Sequence, residues 1–446
     1  MAPADQRRLR ARGRPRPARV RPVRPRGRRP GEPRRAAPRR LDRGPRRRQR
    51  VAQPRHGRHA RRGRHHRRPR NRPAPRRRRR RGGPLPGPRH RLLRPARLRG
   101  RAAQPRPRRA DAVTAVLAGD IGGTHARFAR ALPGPGRVEL VDRAAYPVPG
   151  SASLGALVRR YLDEHPGPAD AAAIGVAAPL VGGRAAPINL PWAVSEDELR
   201  DAIGHPGAHL VNDLLANAWG IGELGPEALA ELQPDRIGLG GNRAVCSAGT
   251  GLGIAGLIPA GTGWTPFASE GGHVDFGPRD EREDALLLWL RARHPEWGHV
   301  SAERVASGLG LRAIHDFVVD TGRAALGPAL RAAFADGDAG RALADAALAG
   351  TDASAIEALD LFTRAYGAVA GNVALMLLST GGIYLGGGIA PRILPLLERG
   401  GFLDAFHAKG RYGGLLEQMA VRVILDDDCA LRGAARYALT RLTEDA

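Results

Sequence analysis

Lysine and cysteine are nearly missing from this chain of 446 residues. Lys409 is the only lysine, so no Gly-Lys-Ser/Thr element exists and the chain is not a P-loop nucleotide-binding protein. The two cysteines, Cys246 and Cys429, provide neither a disulfide framework nor a zinc-binding spacing. No apolar run reaches the roughly 18 residues of a membrane-spanning helix, and no signal-peptide apolar region is present. We therefore expect a cytoplasmic protein without a membrane span.

Acidic and aromatic residues are scarce in the first 110 residues. This segment contains 45 arginines, three acidic residues and no Phe, Trp or Tyr, so it carries about +42, whereas the remainder carries about −12. Such a segment cannot bury enough apolar surface to offset its conformational entropy. We predict a disordered Arg/Pro-rich extension over residues 1–112.

Three origins of this extension are compatible with its composition. Translation of a GC-rich strand upstream of the true start gives such an Arg/Pro/Gly/Ala mixture, and Val113 would then be the start. The second is a disordered interaction tail, and the third is a nucleic-acid-binding module. The missing lysines, aromatic residues and helical periodicity weigh against the third. If the segment is translated, we expect only non-specific nucleic-acid binding through residues 1–110.

The remaining chain begins with two apolar runs around a glycine pair. Over residues 116–132, Asp120 ends the first run, and Gly122, Gly123 and Thr124 separate it from the second. This pattern predicts a β-hairpin. Its bare backbone N–H groups, one hydroxyl and one carboxylate suit a phosphate with its Mg²⁺. An ordinary tight hairpin is the alternative.

A second glycine hairpin is predicted at residues 244–258. Gly249, Thr250 and Gly251 repeat the chemistry of the first turn. Gly251, Gly253 and Gly256 also match the dinucleotide pattern G-x-G-x-x-G, but the proline and glycines that follow leave no room for the helix that this pattern must open. The flat turn Gly386–Gly388 joins a strand to a helix, where it can press against a purine. Two hairpins and this turn predict a nucleotide held between two lobes.

Asn212 and Asp213 stand at the end of an apolar strand. A carboxylate at this position can accept a hydroxyl proton and thereby make that oxygen a nucleophile for a γ-phosphoryl group. The alternative role of Asp213 is the N-cap of the following helix.

A loop acid, a histidine and a further acid complete the candidate residues. Glu270 and His273 flank two glycines and can converge on one polar ligand, although an exposed loop acid and a packed histidine are the alternatives. Glu303 is predicted in the first turn of a helix that Ser301 caps, where the helix dipole favours an acid in any case.

The longest predicted helix covers Ile356–Leu378. Its apolar stripe predicts a buried face, formed by Ile356, Leu359, Phe362, Tyr366, Val369, Val373 and Met376. Gly367 and Gly371 predict close approach of a neighbouring element.

Six motifs, taken in order, resemble those of the bacterial ATP-dependent glucokinase family. They are Leu117-Ala-Gly-Asp-Ile-Gly-Gly-Thr, Val211-Asn-Asp, Gly249-Thr-Gly-Leu-Gly, Glu270-Gly-Gly-His-Val-Asp-Phe, Gly298-His-Val-Ser-Ala-Glu-Arg-Val and Gly386-Gly-Gly-Ile. The resemblance covers about residues 114–442. It implies an α/β, two-lobed actin-like (ribonuclease H-like) ATPase fold with an interlobe cleft.

The same resemblance implies lobe boundaries and an activity. Residues 113–223 would form the small lobe, completed by about 418–446, and residues 224–417 the large lobe. The small lobe would hold the first phosphate loop and the catalytic Asp, and the large lobe the second phosphate loop and the sugar and adenosine contacts. The implied reaction transfers the γ-phosphoryl group of ATP to the 6-hydroxyl of glucose. A homodimer is also expected from the family.

Residue roles follow from the resemblance as well. Asp213 would be the catalytic base, and Asp120 would orient Mg²⁺, through water. The sugar hydroxyls would be held by Asn189, Asn212, Asp213, Glu270, His273 and Glu303. The nucleotide would be held by Asp120, Gly122, Gly123, Thr124, Gly249, Thr250, Gly251, Gly387 and Gly388.

One residue departs from the family pattern. The family usually has Asn after the first phosphate-loop threonine, whereas this chain has His125, whose larger ring is expected to alter nucleotide affinity or lobe closure. Two other functions stay open: a sugar-binding regulatory protein of the same fold, and a hexose kinase that prefers another sugar. A regulator would need a broken base or phosphate loop, but Asp213 and Asp120 are both present.

Overall fold

The computed structural model describes residues 114–444 except Ile188, Leu239, Thr262 and Asp336. The extension predicted over residues 1–112 lies outside the described residues. The strands are β1 (Val116–Ile121), β2 (His125–Pro133), β3 (Val138–Pro147), β4 (Ala171–Val176), β5 (Arg184–Ala185), β6 (Val194–Ser195), β7 (Ala208–Asn212), β8 (Leu229–Gln233), β9 (Arg243–Ala248), β10 (Leu252–Ala260), β11 (Gly263–Ser269), β12 (Ile383–Gly386) and β13 (Val421–Ile424).

Helices follow or connect most of these strands. They are α1 (Leu154–Glu164), α2 (Glu196–Ile203), α3 (Asp213–Gly220), α4 (Glu281–Arg293), α5 (Gly308–Asp320), α6 (Pro328–Ala335), α7 (Ala339–Ala349), α8 (Ala353–Leu377), α9 (Ile389–Arg392), α10 (Leu394–Leu397), α11 (Gly401–His407), α12 (Gly413–Leu416) and α13 (Cys429–Glu444). Within the described part of the chain, no helix combines the length and apolarity needed to cross a membrane.

The first sheet has the strand order β3-β2-β1-β4-β7. β1 and β2 form the hairpin that the sequence predicts, and β1, β4 and β7 run parallel. Side chains alternate along β1, so Leu117 packs on the face that α1 covers and Val116 on the face that α13 covers. Because the carboxyl ends of parallel strands meet at one edge of a sheet, Asp120 and Asn212 lie at the same edge of this sheet.

The second sheet has the order β11-β10-β9-β12-β13-β8, with β9, β12 and β13 parallel. β9 and β10 form the second predicted hairpin. Their geometry brings the turn after β9 and the turn after β12 to one edge of this sheet. These two turns contain the glycines that the sequence assigns to the nucleotide.

The middle turns of helix α8 pack into the hydrophobic core that covers the second sheet. Gly367 and Gly371 lie so close to the backbone of α11 that a side chain at either would overlap it, which confirms the predicted close approach. The predicted stripe is wrong at its two ends, because Ile356 and Met376 are exposed. The helix is longer than the layer of residues that it covers.

The chain passes between the two sheets twice, after α3 and again between β13 and α13. Leu229 at the start of β8 pairs with Ile424 at the end of β13. Gly220 and Gly433 allow α3 and α13 to cross in close contact, since a Cβ at either would overlap backbone of the other helix. The predicted boundary near residue 418 would assign β13 to the first lobe, but its hydrogen bonds lie in the second sheet.

Candidate active site

Asp213 is the first residue of α3, and Asn212 is the cap of that helix. The Asn212 Oδ1 accepts hydrogen bonds from the backbone N–H groups of Leu214 at 3.0 Å and Leu215 at 3.2 Å. The Asp213 Oδ1 accepts a bond from the same Leu214 N–H at 2.9 Å. The N-cap role considered for Asp213 is therefore wrong, since Asn212 fills it. Asp213 Oδ2 is left without a hydrogen-bond partner among the described residues.

The surroundings of Asp213 make its carboxylate a stronger base. Burial is the largest cause that raises the pKa of Asp213 to about 6; the Leu214 N–H group opposes the shift, and the carboxylates of Asp120 and Glu270 add to it. A group with this pKa is mostly ionised at pH 7 and still accepts a proton readily. Asp120 lies near the end of β1 and Asp213 follows β7 at the same edge of the first sheet.

The first glycine turn exposes its backbone and its hydroxyl. Gly122 donates its N–H to the His125 carbonyl oxygen at 3.0 Å, which closes the hairpin. Thr124 is exposed, and its Oγ1 lies 3.3 Å from the His125 Nδ1. A Cβ on Gly123 would lie only 3.0 Å from the Asn189 carbonyl oxygen, so the loop that carries Asn189 packs directly against this turn.

Arg127 is a site residue that the sequence reasoning missed. Its guanidinium forms an ion pair with Asp120 and donates to the Asp427 carbonyl oxygen at 2.9 Å. The hairpin register places Arg127 directly opposite Asp120, so counting back from the turn would have found the pair. The contact with Asp427, 300 residues away, gave no such signal.

The second glycine turn meets two other segments at its edge of the sheet. Gly308, at the start of α5, donates its N–H to the Gly249 carbonyl oxygen at 2.8 Å, and Ser307 caps this helix. Thr250 is exposed. The positive end of α5 beside the turn favours an anion there. Sequence reasoning did not assign this helix terminus to the site.

Two glycines of the turn after β12 have different surroundings. Gly387 has a φ of +79° and its missing side chain leaves room for the Ala248 backbone, so the protein itself requires this glycine. Gly388 would meet no described atom within 4 Å if it carried a Cβ, and the same is true of Gly249. Open space beside glycines in ordinary backbone conformations is what a bound ligand needs.

Glu270 and His273 come together on one short 3₁₀ turn. The His273 Nε2 lies 3.8 Å from the Glu270 Oε2, and both side chains are exposed. The packed-histidine alternative is therefore wrong. The His273 carbonyl oxygen lies 3.1 Å from the His299 Nε2, which ties this turn to the segment that carries Glu303.

Glu303 lies on a separate 3₁₀ turn, Ala302–Arg304. The turn starts directly after Ser301 with Glu303 in it, as predicted, but Ser301 makes no side-chain cap, and the α-helix α5 begins only after Ser307. The Glu303 Oε2 accepts a hydrogen bond from the Leu252 N–H at 3.0 Å, next to the second glycine turn.

A metal site made only of protein ligands is not found among the described residues, which contain no group of three or more His, Cys, Asp or Glu side chains that could hold an ion. Asp120 is the carboxylate beside the exposed first turn, where it pairs with Arg127. One carboxylate with waters and phosphate oxygens is the usual donor set of Mg²⁺, so this arrangement fits a metal that arrives with a nucleotide.

The chain is similar to glucokinases along most of its length. A family model described as Glucokinase matches residues 117–441. The glucokinase of Synechocystis sp. is 37% identical over 346 residues, which cover 72% of this chain and 96% of that protein. The glucokinase of Yersinia enterocolitica is 35% identical over 328 residues, which cover 73% of this chain and 97% of that protein.

Solved structures show the same similarity. A glucokinase from an Antarctic psychrotroph has a TM-score of 0.65 at 28% identity and covers 74% of this chain and 100% of its own. For fold alone, the glucokinase of Balamuthia mandrillaris in complex with glucose has a TM-score of 0.62 at 21% identity, covering 74% and 94%. The predicted two-lobed α/β actin-like ATPase fold is confirmed, and the chain belongs to the glucokinase family.

Proposed function

We propose that this protein is a glucokinase that converts glucose and ATP to glucose 6-phosphate and ADP. The observation that carries the proposal is Asp213, a carboxylate with a pKa of about 6 at a sheet edge that also presents Asp120. Asp213 accepts the proton of the sugar 6-hydroxyl, whose oxygen bonds to the γ-phosphorus while the bond to the ADP oxygen breaks. Phosphoryl transfer needs mainly positioning and charge stabilisation beyond this base.

The proposed sugar pocket combines donors and acceptors. Glu270, His273 and Glu303 receive or donate hydrogen bonds at the hydroxyls, and Asn189 joins them from the side of the first turn. Asn212 uses its Oδ1 for the helix cap, so its Nδ2 is the group proposed to reach the sugar.

The two glycine turns are proposed to hold the phosphates. Backbone N–H groups and the two exposed hydroxyls contact the oxygens of ATP, supported by the open space at Gly249 and Gly388. Asp120 is proposed to hold Mg²⁺ through water. When bound, the ion neutralises charge on the β- and γ-phosphates.

The decisive experiment is coupled ADP production from glucose and Mg-ATP by the full chain and by Asp213→Asn. Asparagine keeps the acceptor for the Leu214 N–H but cannot take up the hydroxyl proton. We expect turnover by the intact protein, declining below about pH 6, and a loss of about 10²–10⁴-fold in the variant, with glucose binding retained. A variant with near-normal turnover would refute the role of Asp213.

Two alternatives are separated by the same assay. Glucose binding without ADP production would favour a sugar-binding regulatory protein, whereas ADP production that is faster with mannose, glucosamine or fructose would favour another hexose kinase. The homodimer is carried over from the family resemblance, and the cytoplasmic location from the composition of the chain. Light scattering on the purified full chain tests the first of them.

A further inference from the structure

The Glu303 carboxylate contacts the second glycine turn as well as the proposed sugar pocket. Its Oε2 accepts a hydrogen bond from the N–H of Leu252, the residue that follows the turn Gly249–Gly251, at 3.0 Å. A Cβ on Gly251 would lie 2.5 Å from this same oxygen. The hydrogen bond therefore depends on a glycine at position 251.

The segment that carries Glu303 holds the turn at a second point. Gly308 donates its N–H to the Gly249 carbonyl oxygen at 2.8 Å. Between the two contacts, the buried Ser307 donates its Oγ–H to the Glu303 carbonyl oxygen at 2.7 Å. Residues 303–308 thus contact both ends of the turn, and the internal hydrogen bond keeps the two contacts at a fixed spacing.

Glu270 and His273, two further side chains of the proposed sugar pocket, lack this connection. Glu270 and His273 are exposed, and their side chains form no hydrogen bond with residues 249–252 in the described structure. Glu303 Oε1 has no hydrogen-bond partner among the described residues. One oxygen of Glu303 is thus held by the turn, and the other is available to a sugar hydroxyl.

We propose that Glu303 is a positioning residue that couples sugar binding to nucleotide binding, an inference that rests on the proposed function. A sugar hydroxyl on Oε1 restricts the rotation of the carboxylate, so Oε2 holds the Leu252 N–H and the glycine turn more firmly. Glucose then increases the affinity for the nucleotide. By linkage, the nucleotide increases the affinity for glucose by the same factor.

The test measures ADP dissociation constants by calorimetry on the full chain, in Mg²⁺, with and without saturating glucose. For the unaltered protein we expect glucose to tighten ADP binding by about tenfold, within the usual range of coupling between sites. In Glu303→Ala we expect ADP binding without sugar to weaken by about fivefold, because a hydrogen bond to a charged group is lost. The effect of glucose in that variant falls below about twofold.

Two matched variants separate coupling from general damage. Glu270→Ala truncates the other proposed sugar acid, which does not touch the turn, so ADP binding without sugar should stay within about twofold. Glu303→Gln keeps an acceptor for the Leu252 N–H and should restore most of the sugar-free affinity. ADP binding that is unchanged in Glu303→Ala, or equally weakened in Glu270→Ala, would overturn the proposal.

A double-mutant cycle tests the route of the coupling. The methyl group of Gly251→Ala should displace the Glu303 carboxylate and weaken ADP binding, but it should cost nothing further in a Glu303→Ala background. If the fold-increases in the ADP dissociation constant of the two single variants multiply in the double variant, the methyl group blocks the nucleotide directly. That result would count against the proposal. If the unaltered protein neither binds glucose nor produces ADP from ATP in its presence, the proposed function itself fails, whereas the sugar-free measurements still decide whether Glu303 holds the turn.

Discussion

The two glycine turns have the same backbone chemistry but different supports. The first follows Asp120, which pairs with Arg127, and Arg127 also binds the Asp427 carbonyl oxygen where the chain returns from the second sheet. The second is held by Glu303 and Gly308, from the segment that also serves the proposed sugar pocket. The position of the first turn therefore depends on the Asp120–Arg127 ion pair, near the connection between the two sheets. The position of the second turn depends on the segment that contributes Glu303 to the proposed sugar pocket. Two turns with the same glycine-threonine chemistry can thus be sensitive to changes in different parts of the molecule.

Arg127→Ala should have the largest effect, because it removes the support of the first turn alone. Without the guanidinium, Asp120 loses its partner and the turn loses its link to Asp427. We expect kcat to fall by about 10²-fold and the Mg²⁺ concentration for half-maximal rate to rise, with glucose affinity unchanged. Steady-state kinetics over a Mg²⁺ series checks this.

The matched control for Arg127 is Arg160→Ala, which removes an exposed ion pair with Glu164 on α1. Exposed pairs of this kind contribute little, so kcat should stay within about twofold. If both variants behave alike, the special support assigned to the first turn is wrong.

Alanine substitutions should show that Gly387 is needed for folding, whereas the neighbouring Gly388 is needed for ligand binding. Gly387→Ala introduces a positive-φ strain and an overlap with Ala248, so the free energy of unfolding should fall by about 2–4 kcal/mol. Gly388→Ala should leave thermal stability unchanged and raise the KM for ATP by about tenfold. Thermal melts and ATP titrations of both variants check this, and equal melting losses would remove the argument for a ligand at Gly388.

The contribution of Asp213 to the stability of the folded protein should depend on pH in a predictable direction. Burial raises the pKa of Asp213 from 3.8 to about 6, so ionisation costs stability in the folded state as the pH rises through that range. Asp213→Asn should therefore melt at a higher temperature than the unaltered protein at pH 8. The difference should shrink as the pH falls through 6 toward 4, because the carboxyl is then protonated in the folded state, and a constant difference would contradict the raised pKa.

His125→Asn should have the smallest effect, and only at the first turn. The imidazole lies beside the Thr124 hydroxyl, and its removal frees that hydroxyl for a phosphate oxygen. We expect the KM for ATP to decrease by about two- to threefold with kcat nearly constant, since only one exposed side-chain hydrogen bond is redistributed. An increase in KM would instead mean that the ring itself binds the nucleotide.

Sequence reasoning found features that depend on neighbours in the chain. Both hairpins follow from glycine turns between apolar runs, and the position of Asp213 follows from the end of an apolar strand. It failed where two local signals compete: Asn212 and Asp213 both suit a helix cap, and Ser301 and Ser307 both precede helical residues. Helix geometry decides each case: Asn212 precedes α3 and accepts two of its N–H groups, and Ser307 caps α5, whereas Ser301 makes no side-chain cap.

The contacts that distinguish the two turns were beyond that reasoning. Asp427 and Arg127 are 300 residues apart, and Leu252 and Glu303 are 51 residues apart. No periodicity or composition encodes such pairs, because they arise only when the two sheets and their connections are in place. The first sheet edge could be predicted, but the supports of the turns required the folded chain.

The pairing of Leu229 with Ile424 has a consequence for synthesis on the ribosome. The segment from β8 to β13 begins and ends at adjacent points, so the second sheet can form before α13 has packed on the first sheet. Until residues 429–444 emerge, the face of β1 that carries Val116 stays bare, although its strands are made first. Translation therefore leaves one apolar surface exposed for the time needed to make some 300 residues, and apolar surface exposed in this way is prone to aggregation.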